Sequence, residues 1–169
     1  MFLFKKLSYD TQEHSRRVAE LSVKLAVLSG MSTEEQAKIG VAAMYHDIGK
    51  IMVDERILNK ADTLTAEEYL CIKQHVSHGC TLMAGYFSEE ICQMILYHHE
   101  NINGSGYLKQ TEIPSGARII RICDVYDAMT SCRPYHNART REETLAYIKK
   151  NAGILFDQEF SNIFPIVSP

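Results

Sequence analysis

The sequence has no long apolar run, no excess of basic charge and no close pair of cysteines. Its apolar start, Met1 to Phe4, stops at Lys5-Lys6, too short for the apolar region of a signal peptide or for a membrane span. A net charge of −3 argues against a general nucleic-acid binder held by a basic face. The five cysteines (Cys71, Cys80, Cys92, Cys123 and Cys132) show no C-x-x-C spacing, which makes them poor zinc ligands. Their odd count and apolar neighbours predict reduced, buried thiols and a cytoplasmic location. Strand-type alternation, internal repeats and low-complexity linkers are missing too, so the expectation is an all-α fold: a single compact helical domain. A chain of 169 residues buries roughly 70% of its unfolded surface and needs no disulfide staples.

What the sequence does have is helix punctuation. Val18, Leu21, Leu25 and Leu28 recur at helical spacing from Asp10 to Leu28, and Gly30 supplies a left-handed stop. Extended backwards, the same face carries His14 and Asp10. Ser32 to Glu35, Thr65 to Glu68 and Thr140 to Glu143 read as capping boxes. The first predicts a helix running towards His46-Asp47 and ended by Gly49. The second predicts a helix to about His75, and the third a helix with Leu145 and Ile148 inside. Ser88 is a fair N-cap for a helix reaching His98-His99. Asn101 to Pro114 reads as a Gly-rich loop, after which Ala117, Ile120, Asp124 and Ala128 share a helical face. A last short helix is expected between Asp157 and Pro165.

The chemistry lies where histidines and aspartates meet helix ends. His46-Asp47 and His98-His99 are doublets, and adjacent helical residues diverge by about 100°, so a doublet can serve two ions or one ion at a frayed end. A lone histidine on an apolar face is more often a satisfied core residue. Here His14, His46, Asp47, His98, His99 and Asp124 all end apolar stripes, and burying so many ionisable groups unpaired costs several kcal/mol each. A metal cluster removes that cost. Imidazole and carboxylate donors without thiolate suit iron or manganese and tolerate zinc, nickel or magnesium. Two such ions suit activation of water for phosphoester hydrolysis.

His46-Asp47-Ile48-Gly49-Lys50, with His14 upstream and Asp124 far downstream, resembles the HD superfamily of phosphohydrolases. The resemblance extends to its HD-GYP branch, which hydrolyses cyclic di-GMP. Lys60, Leu64-Thr65 and Glu67-Glu68, then Ile72-Lys73-Gln74-His75, His98-His99-Glu100, Gly104-Ser105-Gly106-Tyr107, Ile113-Pro114, Ala117-Arg118-Ile119, Asp124-Val125-Tyr126-Asp127-Ala128 and Arg133-Pro134-Tyr135 follow in order, from about Asp10 to Phe160. The resemblance implies an HD-type helical domain around a buried metal centre. It places one ion on His14, His46, Asp47 and Asp124, and a second on Asp47, His75, His98 and His99. Lys50 would sit against a phosphate oxygen and offset charge in the transition state, and Arg133 would hold a substrate phosphate. Gly106, Tyr107 and Tyr135 would line the substrate pocket, the tyrosines either stacking on a guanine or covering the core. His78 reads as a helix-end residue or a donor behind the ligands, and His136 as an exposed polar residue.

Four positions depart from the branch pattern. Leu108 stands where it has proline, Asn103 where it has aspartate, and the loop from Tyr107 to Ile113 is about three residues shorter. Asp10 stands where some members have a glutamate for a third ion, and it serves equally as an N-cap. Restoring proline at Leu108 and lengthening the loop are expected to tighten cyclic di-GMP binding. The leading expectation is a phosphodiesterase opening cyclic di-GMP to linear pGpG on two or three divalent ions, with a nucleotide messenger as substrate, regulated by a protein partner if at all. The alternatives are an HD phosphohydrolase of another nucleotide phosphate, and a nucleotide-binding scaffold with a degenerate pocket. No metal-ligand position is lost, which speaks against the scaffold.

Overall fold

The computed structural model describes residues 2–131 and 138–168. Arg133, Tyr135 and His136 lie outside these residues, as does Cys132. Helices run in the order α1 (Tyr9–Leu28), α2 (Thr33–Tyr45), α3 (Glu55–Leu58), α4 (Ala66–Lys73), α5 (His75–Met83), α6 (Glu89–Tyr97), α7 (Ser115–Thr130), α8 (Arg141–Lys150) and α9 (Gln158–Val167), and no strand forms among the described residues. The all-helical expectation holds. No helix is long and apolar enough to cross a membrane.

The capping boxes fold as their sequences dictate. At Ser32, Thr65 and Thr140 the side chain accepts the backbone N–H three residues on, and the glutamate there returns to the cap's own N–H. α1 is capped by Ser8, whose hydroxyl accepts from the Thr11 N–H; Asp10 is therefore not the N-cap. α1 packs against α2, α7 and α9, while α2 also meets α6 and α7. Val18, Leu25, Ile39, Ile95, Ile119, Ile120, Ile122 and Phe164 fill the space between them, almost wholly buried. Fully burying each aliphatic side chain contributes about 1.5–3 kcal/mol, so this core outweighs local helix preferences.

Three elements differ from the expected pattern. The helix expected to end near His75 is α4, which closes at Gln74, but a second helix that was not expected, α5, begins at the next residue. α2 ends at Tyr45 rather than at Gly49, and a 3₁₀ helix over Ile48–Met52 follows. Gly49 is needed for a close approach: a Cβ there would lie 1.9 Å from the His75 carbonyl oxygen and 2.6 Å from the Gly79 nitrogen. That contact docks the 3₁₀ turn on α5. Finally, α9 continues through Pro165 to Val167, since burial of Phe160, Phe164 and Val167 outweighs one missing helical bond. The described cysteines are free, and Cys71 is exposed rather than buried as expected.

Candidate metal centre

α1, α2, α5, α6 and α7 each bring ligand-type side chains to one buried locus. His14 comes from α1, His46 caps the C-terminus of α2, and Asp47 opens the following 3₁₀ turn. His75 starts α5, His98 caps α6 with His99 next, and Asp124 lies on the buried face of α7. Their donor atoms form three overlapping trios, each within 4.8 Å: His14, His46 and Asp124; His46, Asp47 and His98; His75, His98 and His99. The predicted ligand residues are thus brought together, with Asp10 the exception. It is exposed one turn before His14 and joins none of these groups.

Asp47 holds the middle of the cluster. Its Oδ2 lies 3.5 Å from His46 Nε2 and 3.9 Å from His14 Nε2, and its Oδ1 lies 3.4 Å from His75 Nε2. Asp124 Oδ1 is 3.1 Å from His14 Nε2, and its Oδ2 is 3.8 Å from His99 Nδ1. Lys50 donates to Asp47 Oδ2 at 2.6 Å.

The backbone fixes most of the imidazole tautomers. The Nδ1–H groups of His46, His75 and His98 donate to the carbonyls of Ala43, Ile72 and Ile95, at 2.6, 2.7 and 2.7 Å. A carbonyl can only accept, so the proton sits on Nδ1 and the Nε2 lone pair faces inward. These carbonyls belong to the last turns of their helices, where the regular i+4 hydrogen-bond ladder runs out. His14 instead donates through Nδ1 to Asp127 Oδ2 at 2.7 Å, and Asp127 is held in turn by Arg17 at 2.6 and 2.9 Å. Sequence reasoning quoted Asp127 within its motif but gave it no role. Its only sequence cue is its place three residues after Asp124.

Burial and the neighbouring imidazoles hold His98 well below the ordinary histidine pKa. Burial, partly opposed by Asp124, takes His99 to about 3. His46 and His75 are lowered mainly by burial as well. For His14 burial also pulls downward, but hydrogen bonds to Asp124 and Asp127 outweigh it and raise the pKa to about 9. Burial pushes Asp47 upward, yet the charges of Lys50, His46 and His75 hold it well below the carboxylate range. At neutral pH the locus therefore offers carboxylates and the unprotonated imidazoles of His46, His75, His98 and His99, the form that binds cations, whereas His14 holds a proton that a bound cation would have to displace.

Two buried polar atoms there, His46 Nε2 and Asp47 Oδ1, have no hydrogen-bond partner. Such orphans normally cost about 1–3 kcal/mol each. A divalent cation would satisfy both, so the residues present fit a metal.

The loop beside the cluster is organised by Glu100, which sequence reasoning also left without a role. Its buried carboxylate accepts the N–H groups of Leu108 and Gln110, both at 2.7 Å, across Lys109 at φ 59°. Gly106 is pressed against it, a Cβ there meeting Glu100 Cα at 2.5 Å. Tyr107 extends over His99, ring centroids 4.5 Å apart. These contacts correct the expectation for Leu108: its N–H is in use, and a proline has none. Leu108→Pro should lower stability by about 1.5–3 kcal/mol, the worth of a hydrogen bond to a charged group, and weaken rather than tighten ligand binding. A melting temperature that rises in this variant would show that the Glu100 bond contributes nothing. His78 lies inside α5 rather than at a helix end, and its buried Nδ1 donates to nothing, so it does not orient a ligand.

The chain is 38% identical over 161 residues to a "Cyclic di-GMP phosphodiesterase" of Thermotoga maritima, covering 92% of this chain and 44% of the relative. It is 36% identical over 159 residues to "3'3'-cGAMP-specific phosphodiesterase 1" of Vibrio cholerae, covering 90% and 37%. It thus spans less than half the length of these curated relatives. Among solved structures, an HDG"Y"P protein of Bdellovibrio bacteriovorus, Bd1817, superposes with a TM-score of 0.75 at 17% identity, covering 92% of this chain and 51% of the other. The HD domain of L. monocytogenes phosphodiesterase PgpH in complex with cyclic di-AMP gives 0.72 at 20% identity, covering 99% and 93%. The HD domain family model matches residues 5–160, and the chain belongs to the HD domain family.

Proposed function

We propose that this chain is a metal-dependent phosphodiesterase that opens a cyclic dinucleotide, cyclic di-GMP before others, to the linear dinucleotide pGpG. The observation that carries the reading is the pair of buried, unpartnered donor atoms, His46 Nε2 and Asp47 Oδ1, inside seven ligand-type side chains. Relatives named as cyclic-dinucleotide phosphodiesterases support the substrate class.

In this reading His14, His46, Asp47 and Asp124 hold one divalent ion, and Asp47, His75, His98 and His99 hold a second. The donor set, without a thiolate, suits iron or manganese. When bound, the ions supply an activated water and offset phosphate charge. The chain's own residues do the positioning. Asp127 keeps His14 in one tautomer, the helix-end carbonyls do the same for His46, His75 and His98, and Lys50 brings a cation to the edge of the cluster. Gly106, Tyr107, Arg133 and Tyr135 complete the substrate side, and the reaction belongs in the cytoplasm.

A second reading keeps the chemistry and exchanges the base: 3'3'-cGAMP as the preferred substrate, favoured by the name of the Vibrio cholerae relative. Steady-state kinetics on protein loaded separately with iron and manganese decide between them. Cyclic di-GMP, 3'3'-cGAMP, cyclic di-AMP and pGpG are the substrates to compare. The highest kcat/KM is expected for cyclic di-GMP. Rapid hydrolysis of a mononucleotide with no turnover of any dinucleotide would overturn both readings.

A further inference from the structure

We infer that Lys73 takes the second, non-reacting phosphate of the dinucleotide and so helps to select substrates with two phosphodiesters; this rests on the function proposed above. Lys73 closes α4, and its ammonium lies 4.8 Å from the Tyr69 ring centroid and 4.9 Å from that of Tyr107. The two rings meet edge-on at 6.2 Å. Tyr107 in turn stacks at 4.5 Å on His99 and lies 6.3 Å from His75. A continuous run of aromatic faces therefore leads from the cluster to the ammonium, which stands one ring beyond His99.

Among the described residues, Lys50, Lys60 and Arg121 already have side-chain partners. Lys50 is paired with Asp47, and Lys60 with Glu68 at 2.7 Å. Arg121 spends its Nε and Nη2 on the Asn101 side chain, at 3.3 and 3.1 Å, and turns Nη1 to His99. Lys73 has no carboxylate partner among the described residues, and only π faces hold it. Cation–π contact fixes where an ammonium sits without consuming its three N–H donors, so those donors remain for an anion.

A cyclic dinucleotide places its two phosphates on opposite sides of one ring. When one reaches the cluster and Lys50, the other is held back by a ribose and needs its own cation. Lys73 stands back from the ligands in that way, with the Tyr107 ring between it and His99. A substrate with a single phosphodiester has nothing to offer it.

Lys73→Gln and Lys73→Arg test this on the manganese-loaded protein, with cyclic di-GMP and bis(p-nitrophenyl) phosphate as substrates. A hydrogen-bonded charge pair is worth about tenfold or more in binding. The KM penalty of Lys73→Gln for cyclic di-GMP should exceed its penalty for the single diester by about that factor. The loss should fall on KM rather than kcat, and Lys73→Arg should recover most of it. Equal penalties on the two substrates, or a loss in kcat accompanied by lost metal, would make Lys73 a structural residue and end the proposal. Absence of dinucleotide turnover by the unsubstituted protein, with the single diester still hydrolysed, would overturn the functional reading and this inference together. Dinucleotide turnover with equal penalties would overturn the inference alone.

Discussion

Asp47→Ala should strip the bound metal and lower phosphodiester turnover by about a thousandfold or more, while helical content stays near that of the parent protein. Asp47 is the carboxylate that faces both sides of the cluster, with Oδ2 toward His46 and His14 and Oδ1 toward His75. It also neutralises Lys50. Its removal leaves a lysine facing several imidazoles, and that surplus of positive potential repels cations. The fold does not depend on it, because the apolar core lies in the helix interfaces around the cluster. Metal content by mass spectrometry and circular dichroism on the same sample make the check. An alanine variant that kept its metal and its turnover would remove Asp47 from the centre of the mechanism.

Gly49→Ala should be nearly as damaging, and for a different reason. The added methyl would meet main-chain atoms of α5: the His75 carbonyl oxygen, the His75 carbonyl carbon at 2.8 Å and the Gly79 nitrogen. Backbone cannot swing aside as a long side chain can, so the 3₁₀ turn must lift off α5. That separation pulls Asp47, one residue from the turn's start, away from His75. A loss of about 3 kcal/mol in stability is expected, with metal affinity falling too because the ligands lose their spacing. Urea unfolding with and without added manganese measures both. A variant with the parent's midpoint and metal content would mean that the close approach carries no weight.

How much of this could be read from sequence depended on how far apart the cooperating residues lie. The capping boxes were legible because Ser32 with Glu35, Thr65 with Glu68, and Thr140 with Glu143 each hold their whole geometry within four residues. α5 was not. It follows α4 after one shared residue, has no side-chain cap, and carries a glycine in its middle. What makes it helical is burial of Val76 and Met83 and the docking of Gly79 on the Gly49 turn, all of them non-local. The same distinction runs through the site. His14, His46, Asp47, His98, His99 and Asp124 stood out because histidines and aspartates rarely end apolar stripes, whereas His75 came only from the family resemblance. Asp127 serves a histidine 113 positions away, and Glu100 serves backbone N–H groups whose owners' side chains say nothing of it. Leu108 misled for that last reason. Its side chain suggests a missing constraint, whereas the structure uses its main chain.

The helix-end carbonyls that hold His46, His75 and His98 set the terms on which such a centre can change over generations. The acceptors at Ala43, Ile72 and Ile95 are main-chain atoms, so the residues at those positions can be exchanged for others of similar size without releasing the rings. The ring of His14 has no such protection. Its acceptor is the side chain of Asp127, and one substitution there frees it. Mutational drift is thus expected to be absorbed at three of these four imidazoles and punished at the fourth, and Asp127 inherits a constraint as strict as that of the residue it serves.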